Sequence, residues 1–137
     1  MTASTRYTFG TKIPEPIDKV RPRVEAALRT EGFGVLTEID VAATLKAKLG
    51  VERRPYLILG ACNPSLAHAA LQANPSIGAL LPCNVVLRED EPGITAIEVL
   101  DPVVALSIAG KPSIAPIASE ARERLSRVVA ALEPFGT

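Results

Sequence analysis

The order of elements along the chain predicts an α+β domain, with a curved, mostly antiparallel sheet of about five strands and two long helices on one face. Three observations predict it. Long amphipathic stripes lie near the two chain ends, around residues 17–28 and 117–132. Strand-length apolar runs fill the middle and are punctuated by Gly, Pro and Asn. The last two strands are joined by Asp90-Glu91-Pro92-Gly93, a tight hairpin connection. A parallel doubly wound sheet would need long crossover helices throughout, whereas the helical segments at 41–49 and 64–73 are short side elements.

Tyr7-Thr8-Phe9-Gly10-Thr11-Lys12-Ile13 alternates in side-chain size and polarity, as a strand with one buried face does. Ile17, Val20, Val24, Ala27 and Leu28 then recur at helical spacing, and Gly32 is placed to end that helix in a left-handed cap. Pro22 conflicts with a helix interior, so the expected start is near Asp18 as the cap, or the helix kinks. Residues 34–39 read as a half-buried strand, and Asp40 caps a short exposed helix carrying Val41, Leu45 and Leu49 and closing at Gly50. Tyr56-Leu57-Ile58-Leu59-Gly60-Ala61 is apolar without alternation, which fits a central strand. Asn63-Pro64 is a preferred cap followed by proline at the first helical position, and a helix runs to Ala73. Asn74-Pro75 breaks the chain before the hairpin strands at 84–89 and 94–100. Asp101-Pro102 repeats the cap-plus-proline signal, and a last helix at about 114–133 carries Ile117, Ala121, Leu125, Val128 and Leu132.

A chain of 137 residues suits a single domain, 1–137, that buries roughly two thirds of its unfolded surface. Fifteen basic and fifteen acidic residues cancel. That balance removes the long-range field that draws proteins to nucleic acid or anionic membranes, so neither is an expected partner. The densest positive spots, Arg21 with Arg23 and Arg53-Arg54, read as solvated edges. No apolar stretch has the length of a membrane span and the N-terminal residues carry no leader-like apolar run, so a cytoplasmic location is expected. Two cysteines make no disulfide framework, and in a reducing compartment they stay thiols.

Those cysteines mark the candidate site. Cys62-Asn63-Pro64 and Pro82-Cys83-Asn84 bracket one helix-length segment that contains the single histidine, His68. Cys62, Asn63, Cys83, Asn84 and His68 are the candidate ligand-binding residues, and Cys62, just before a helix N-terminus, is the candidate catalytic thiol. The helix dipole offers an anion about 0.3–1 kcal/mol, less than the 1.36 kcal/mol of one pKa unit, so a reactive thiolate also needs a neighbouring cation from His68, Lys46 or Lys48. The competing reading makes both cysteines small buried hydrophobes and Asn63 only a cap. Structural zinc is not expected within one chain, because two cysteines and one histidine fall short of four ligands, whereas a site shared across a dimer could supply the rest; no motif identifies a cofactor. Asp40 and Asp101 read as helix caps, Glu89-Asp90-Glu91 as a solvated hairpin tip, and Gly32-Phe33-Gly34 lacks the pattern of a phosphate loop.

Three segments, Glu31-Gly32-Phe33-Gly34-Val35-Leu36-Thr37-Glu38-Ile39-Asp40-Val41, Leu59-Gly60-Ala61-Cys62-Asn63-Pro64 and Leu80-Leu81-Pro82-Cys83-Asn84-Val85, resemble the family catalogued as domain of unknown function 302. The likeness covers about residues 7–106 and continues more loosely into the C-terminal helix. It implies a fold like that of the TATA-binding-protein class, strand, helix, four antiparallel strands, helix, usually as a homodimer. It implies no activity, and a DNA-binding role does not follow from fold. Three functions stay open: a homodimeric module binding a small ligand or metal near Cys62 and Cys83, a thiol-dependent redox protein or enzyme using Cys62, and an interaction scaffold with no ligand.

Overall fold

Alternation along the strands decides which side of the sheet is buried. In the computed structural model, which describes Thr2–Ala3 and residues 5–133, strands β1 (Thr2–Ala3), β2 (Thr8–Ile13), β3 (Gly34–Asp40), β4 (Tyr56–Cys62), β5 (Cys83–Glu91) and β6 (Ile94–Leu100) form one sheet. Their order is β1-β2-β6-β5-β4-β3, and every neighbouring pair is antiparallel. The helices are α1 (Ile17–Thr30), α2 (Val41–Leu49), α3 (Pro64–Ala73), α4 (Pro102–Leu106) and α5 (Ala115–Leu132), with 3-10 turns at Pro75–Leu80 and Ser107–Ala109. The α+β class expected from the sequence is therefore the observed one.

Phe9, Leu59, Leu87, Ile97 and Val99 point to one side and pack against Val20, Val24 and Leu28 of α1 and Leu125, Val128 and Leu132 of α5. A second apolar cluster, Ala70, Ile77, Leu106, Ile114 and Ala118, ties α3 and α4 to the first half of α5. On the other side of the sheet, alternation places Ile39, Ile58 and Val86 in direct cross-strand register, with Glu98 next in the row. Ile39 remains 49% exposed, and Leu36, earlier in the same strand, 67% exposed.

Several expectations shift. Helix α1 begins at Ile17 with Pro16, not Asp18, at the cap position, and Pro22 lies inside it. The helix starts there because Glu89 supplies the missing cap from across the fold, its Oε2 accepting from the Ile17 N–H at 3.2 Å. The acidic hairpin tip is thus partly structural, since Glu89 Oε1 also accepts from the Gly93 N–H at 3.0 Å. Strand β3, expected to be half-buried, is a mostly exposed edge, with a register shift between Val35 and Thr37. Asp40, Asn63 and Asp101 do cap their helices, accepting from the N–H groups of Ala43, Leu66 and Val103. Among the described residues no helix is long and apolar enough to cross a membrane.

Candidate functional site

Central strand β4 carries its apolar run to Ala61 and ends at Cys62, where Asn63 and Pro64 start α3. Antiparallel pairing sets Ala61 opposite Cys83 at the start of β5, so the two cysteines stand on adjacent strands one residue out of register. Both are free thiols. With Asn63 they border a small apolar cavity of about 30 Å³, enclosed by Phe33, by Leu66 and Ala67 of α3, and by Ile117 and Ala121 of α5. Leu81 and Pro82, joined by a cis peptide bond, form another part of its wall.

The three sequence segments singled out above meet here, on both faces of β4. Phe33 from the first, Ala61 to Asn63 from the second, and Leu81 to Cys83 from the third line the cavity. Gly32 turns the chain out of α1 at φ +81, and a Cβ there would approach Asn63 Nδ2 to 2.9 Å, so glycine serves both the turn and the close approach. Asn63 spends both ends of its amide: Oδ1 accepts from the Leu66 N–H at 3.2 Å, and Nδ2 donates to the Glu31 carbonyl at 3.4 Å. That carbonyl also accepts from Arg124 Nη1 at 3.1 Å, which fastens α5 to the same knot. On the opposite face, a Cβ at Gly60 would collide with Thr37 Oγ1 and come within 2.8 Å of Pro82 Cγ.

Burial disfavours the charged form of both thiols. It raises Cys62, and it pushes Cys83 up to about 11, with the negative charge of a neighbouring Cys62 thiolate adding to the rise. At pH 7 a thiol with that acidity is ionised in roughly one molecule in ten thousand. Among the described residues no cation offsets this. Lys46 sits at the far end of β4, paired with Glu52 at 3.1 Å, and His68 is exposed on α3 and does not border the cavity. Asn84 pairs with Gly60 and is also exposed, outside the cavity. The fold therefore gathers Cys62, Asn63 and Cys83 and leaves His68 and Asn84 apart. Among the described residues no three of His, Cys, Asp or Glu are grouped to hold a metal ion.

A larger cavity than this one lies elsewhere. A cleft of about 690 Å³ opens beside the start of β4, between the first turns of α1 and helix α2. Its residues come from positions 17–22, 38–46, 52–57 and 89, and no short motif announces such a convergence. The one local clue is Arg53 three residues before Tyr56, whose guanidinium stacks over the ring at 4.8 Å.

An antiparallel sheet with its long helices on one face, and three motif segments closed around a thiol-lined cavity, defines a small α+β domain of one recognisable pattern. The family model described as "Domain of unknown function DUF302" matches residues 9–132, and the chain belongs to that family. It is similar to the crystal structure of an uncharacterized conserved DUF302 protein from Bacillus stearothermophilus, with 29% sequence identity and a TM-score of 0.85 over 93% of this chain and 99% of that one. No curated protein matches it.

Proposed function

We propose that the domain is a cytoplasmic homodimeric binding module that takes a small apolar group in the pocket at Cys62 and Cys83, with the thiols as wall rather than as nucleophiles. The observation that carries this reading is the convergence of Phe33, Cys62, Asn63, Pro82 and Cys83, drawn from three separate segments, around one apolar cavity. Thiols pushed toward weaker acidity by burial support binding over catalysis. Their free state fits a reducing compartment. The cavity has room for about one water-sized group. A ligand larger than that therefore needs the cavity wall, which includes the partly buried Leu81 and Pro82, to give way.

Pairing of two copies is supported by the row Ile39, Ile58 and Val86 on the sheet face away from the helices, with Ile39 half exposed at the sheet edge. A two-fold axis through such a row makes a self-complementary contact. Sedimentation equilibrium at micromolar concentration tests it: a dimer that Ile39→Glu turns into a folded monomer supports the pairing, and a wild-type monomer overturns it.

The pocket is tested by melting-temperature shifts with xenon and benzene. Ligand that binds only the folded state raises stability by RT ln(1 + [L]/Kd). A saturable rise in the wild type that Ala67→Leu abolishes by filling the cavity supports the reading. Absence of any rise, or a rise that neither Ala67→Leu nor alanine at both cysteines alters, overturns it. A second reading, a redox dithiol, is favoured by the influence of Cys62 on Cys83 across adjacent strands. Mild oxidation that produces a Cys62–Cys83 disulfide in the folded protein would select it.

A further inference from the structure

The cleft beside α2 lies at the opposite end of β4 from the cysteine pocket, about 20 Å away along a seven-residue strand. Its volume of about 690 Å³ falls in the range of small-molecule sites. Most charges around it are already committed. Arg21 pairs with Glu25 and Glu38, Lys46 pairs with Glu52, and both oxygens of Glu89 accept backbone N–H groups. Three groups are left over. The Asp18 carboxylate has no partner among the described residues, and Asp40 uses only Oδ1, on the Ala43 N–H. Among the described residues the Arg53 guanidinium has no carboxylate partner; it lies on the Tyr56 ring and gives one long hydrogen bond, from Nε to the Arg54 carbonyl at 3.3 Å.

The uncommitted groups therefore comprise two negatively charged hydrogen-bond acceptors and one planar cationic fork. Five acidic side chains (Asp18, Glu38, Asp40, Glu52 and Glu89) against three basic ones (Arg21, Lys46 and Arg53) leave the cleft net negative, which repels a multiply charged anion such as a nucleotide. Arg53 in turn disfavours a plain cation and matches a carboxylate in geometry. Ile17, Pro22, Tyr56 and Leu57 supply apolar wall between the two. We propose that this cleft binds a small zwitterion, an amino acid or short peptide, whose ammonium meets Asp18 and Asp40 and whose carboxylate meets Arg53 over Tyr56. This site is separate from the cysteine pocket and does not depend on it.

The test uses the whole chain and three probes of nearly one shape: L-phenylalanine, phenethylamine, which lacks the carboxylate, and 3-phenylpropionate, which lacks the ammonium, followed by the other common amino acids and the dipeptide Gly-Leu. Amide chemical shifts and calorimetric titration report binding. The expected result is saturable binding of at least one zwitterion, with shifts confined to residues 17–22, 38–46 and 52–57. Asp18→Asn and Arg53→Gln, both at exposed positions, each weaken it tenfold or more at unchanged melting temperature. The matching analogue lacking either charge also binds at least tenfold more weakly, and Ala67→Leu in the other pocket changes nothing. The proposal is overturned if no zwitterion in the set binds below 10 mM, if a singly charged analogue binds as tightly, or if both substitutions leave affinity intact.

Discussion

Replacing Cys83 by alanine should make the stability of this protein depend less on alkaline pH, by an amount that the pocket sets. Burial first, and then the adjacent Cys62, push the Cys83 thiol from 9.0 up to about 11. A group held protonated by the fold contributes its stability in full below its unfolded pKa and loses it as pH rises through the folded value. The window is therefore about pH 9 to 11. Between pH 8 and pH 10.5, a thiol moving between those two values removes about 2 kcal/mol from the wild type, and alanine, with no proton to lose, removes nothing at that position. At pH 8 the variant starts about 1 kcal/mol less stable, because a partly buried sulfur has been deleted. Its deficit shrinks with pH and changes sign at about pH 9.7. Urea unfolding followed by circular dichroism, with a non-thiol reductant and at several pH values, measures both curves. A wild-type-to-variant gap that stays constant from pH 8 to 10.5 would refute the claim that the fold holds Cys83 neutral.

Asn63→Ala should lower stability by about 1–2 kcal/mol, through the lost α3 cap and the lost hydrogen bond to the Glu31 carbonyl, which keeps its bond from Arg124, while Asn63→Asp keeps the cap and loses less; thermal denaturation ranks the two. Gly60→Ala should cost about 1–3 kcal/mol by driving a methyl group into Thr37 and Pro82, and pairing it with Thr37→Ala should recover part of that cost in a double-mutant cycle. Leu125→Ala, at a fully buried core position, should cost about 2–5 kcal/mol, whereas Leu49→Ala on the exposed α2 should stay within about 0.5 kcal/mol of wild type by urea unfolding.

The fold was readable wherever one local signal had no competitor. Asn63-Pro64 and Asp101-Pro102 opened helices because a short polar acceptor and a residue without an N–H suit the same first turn. Gly32 and Gly50 closed helices in left-handed geometry. The start of α1 was misplaced because its cap comes from Glu89, seventy-two residues away, and no local pattern encodes that bond. The exposure of β3 was missed because alternation reports one buried face and says nothing about position at the sheet edge. Of the candidate residues, Cys62, Asn63 and Cys83 are marked in the sequence by a strand end and a strand start that flank one helix, but whether the two thiols meet is set by the pairing of β4 with β5, which no local pattern encodes. His68 and Asn84 were grouped with them by sequence proximity, but helix phase and strand alternation carry them away from the cavity. The cleft of Asp18, Asp40 and Arg53 was illegible, since four segments assemble it.

The role of the thiols as pocket wall is tested most directly by the rate at which iodoacetamide alkylates each cysteine at pH 7, read by mass spectrometry against the same chain unfolded in urea. Desolvation with no compensating cation predicts that Cys62 reacts more slowly in the folded protein than in the unfolded one, and that Cys83 reacts only on unfolding. A folded-state Cys62 that alkylates faster than the unfolded thiol would contradict the account and identify an activated nucleophile.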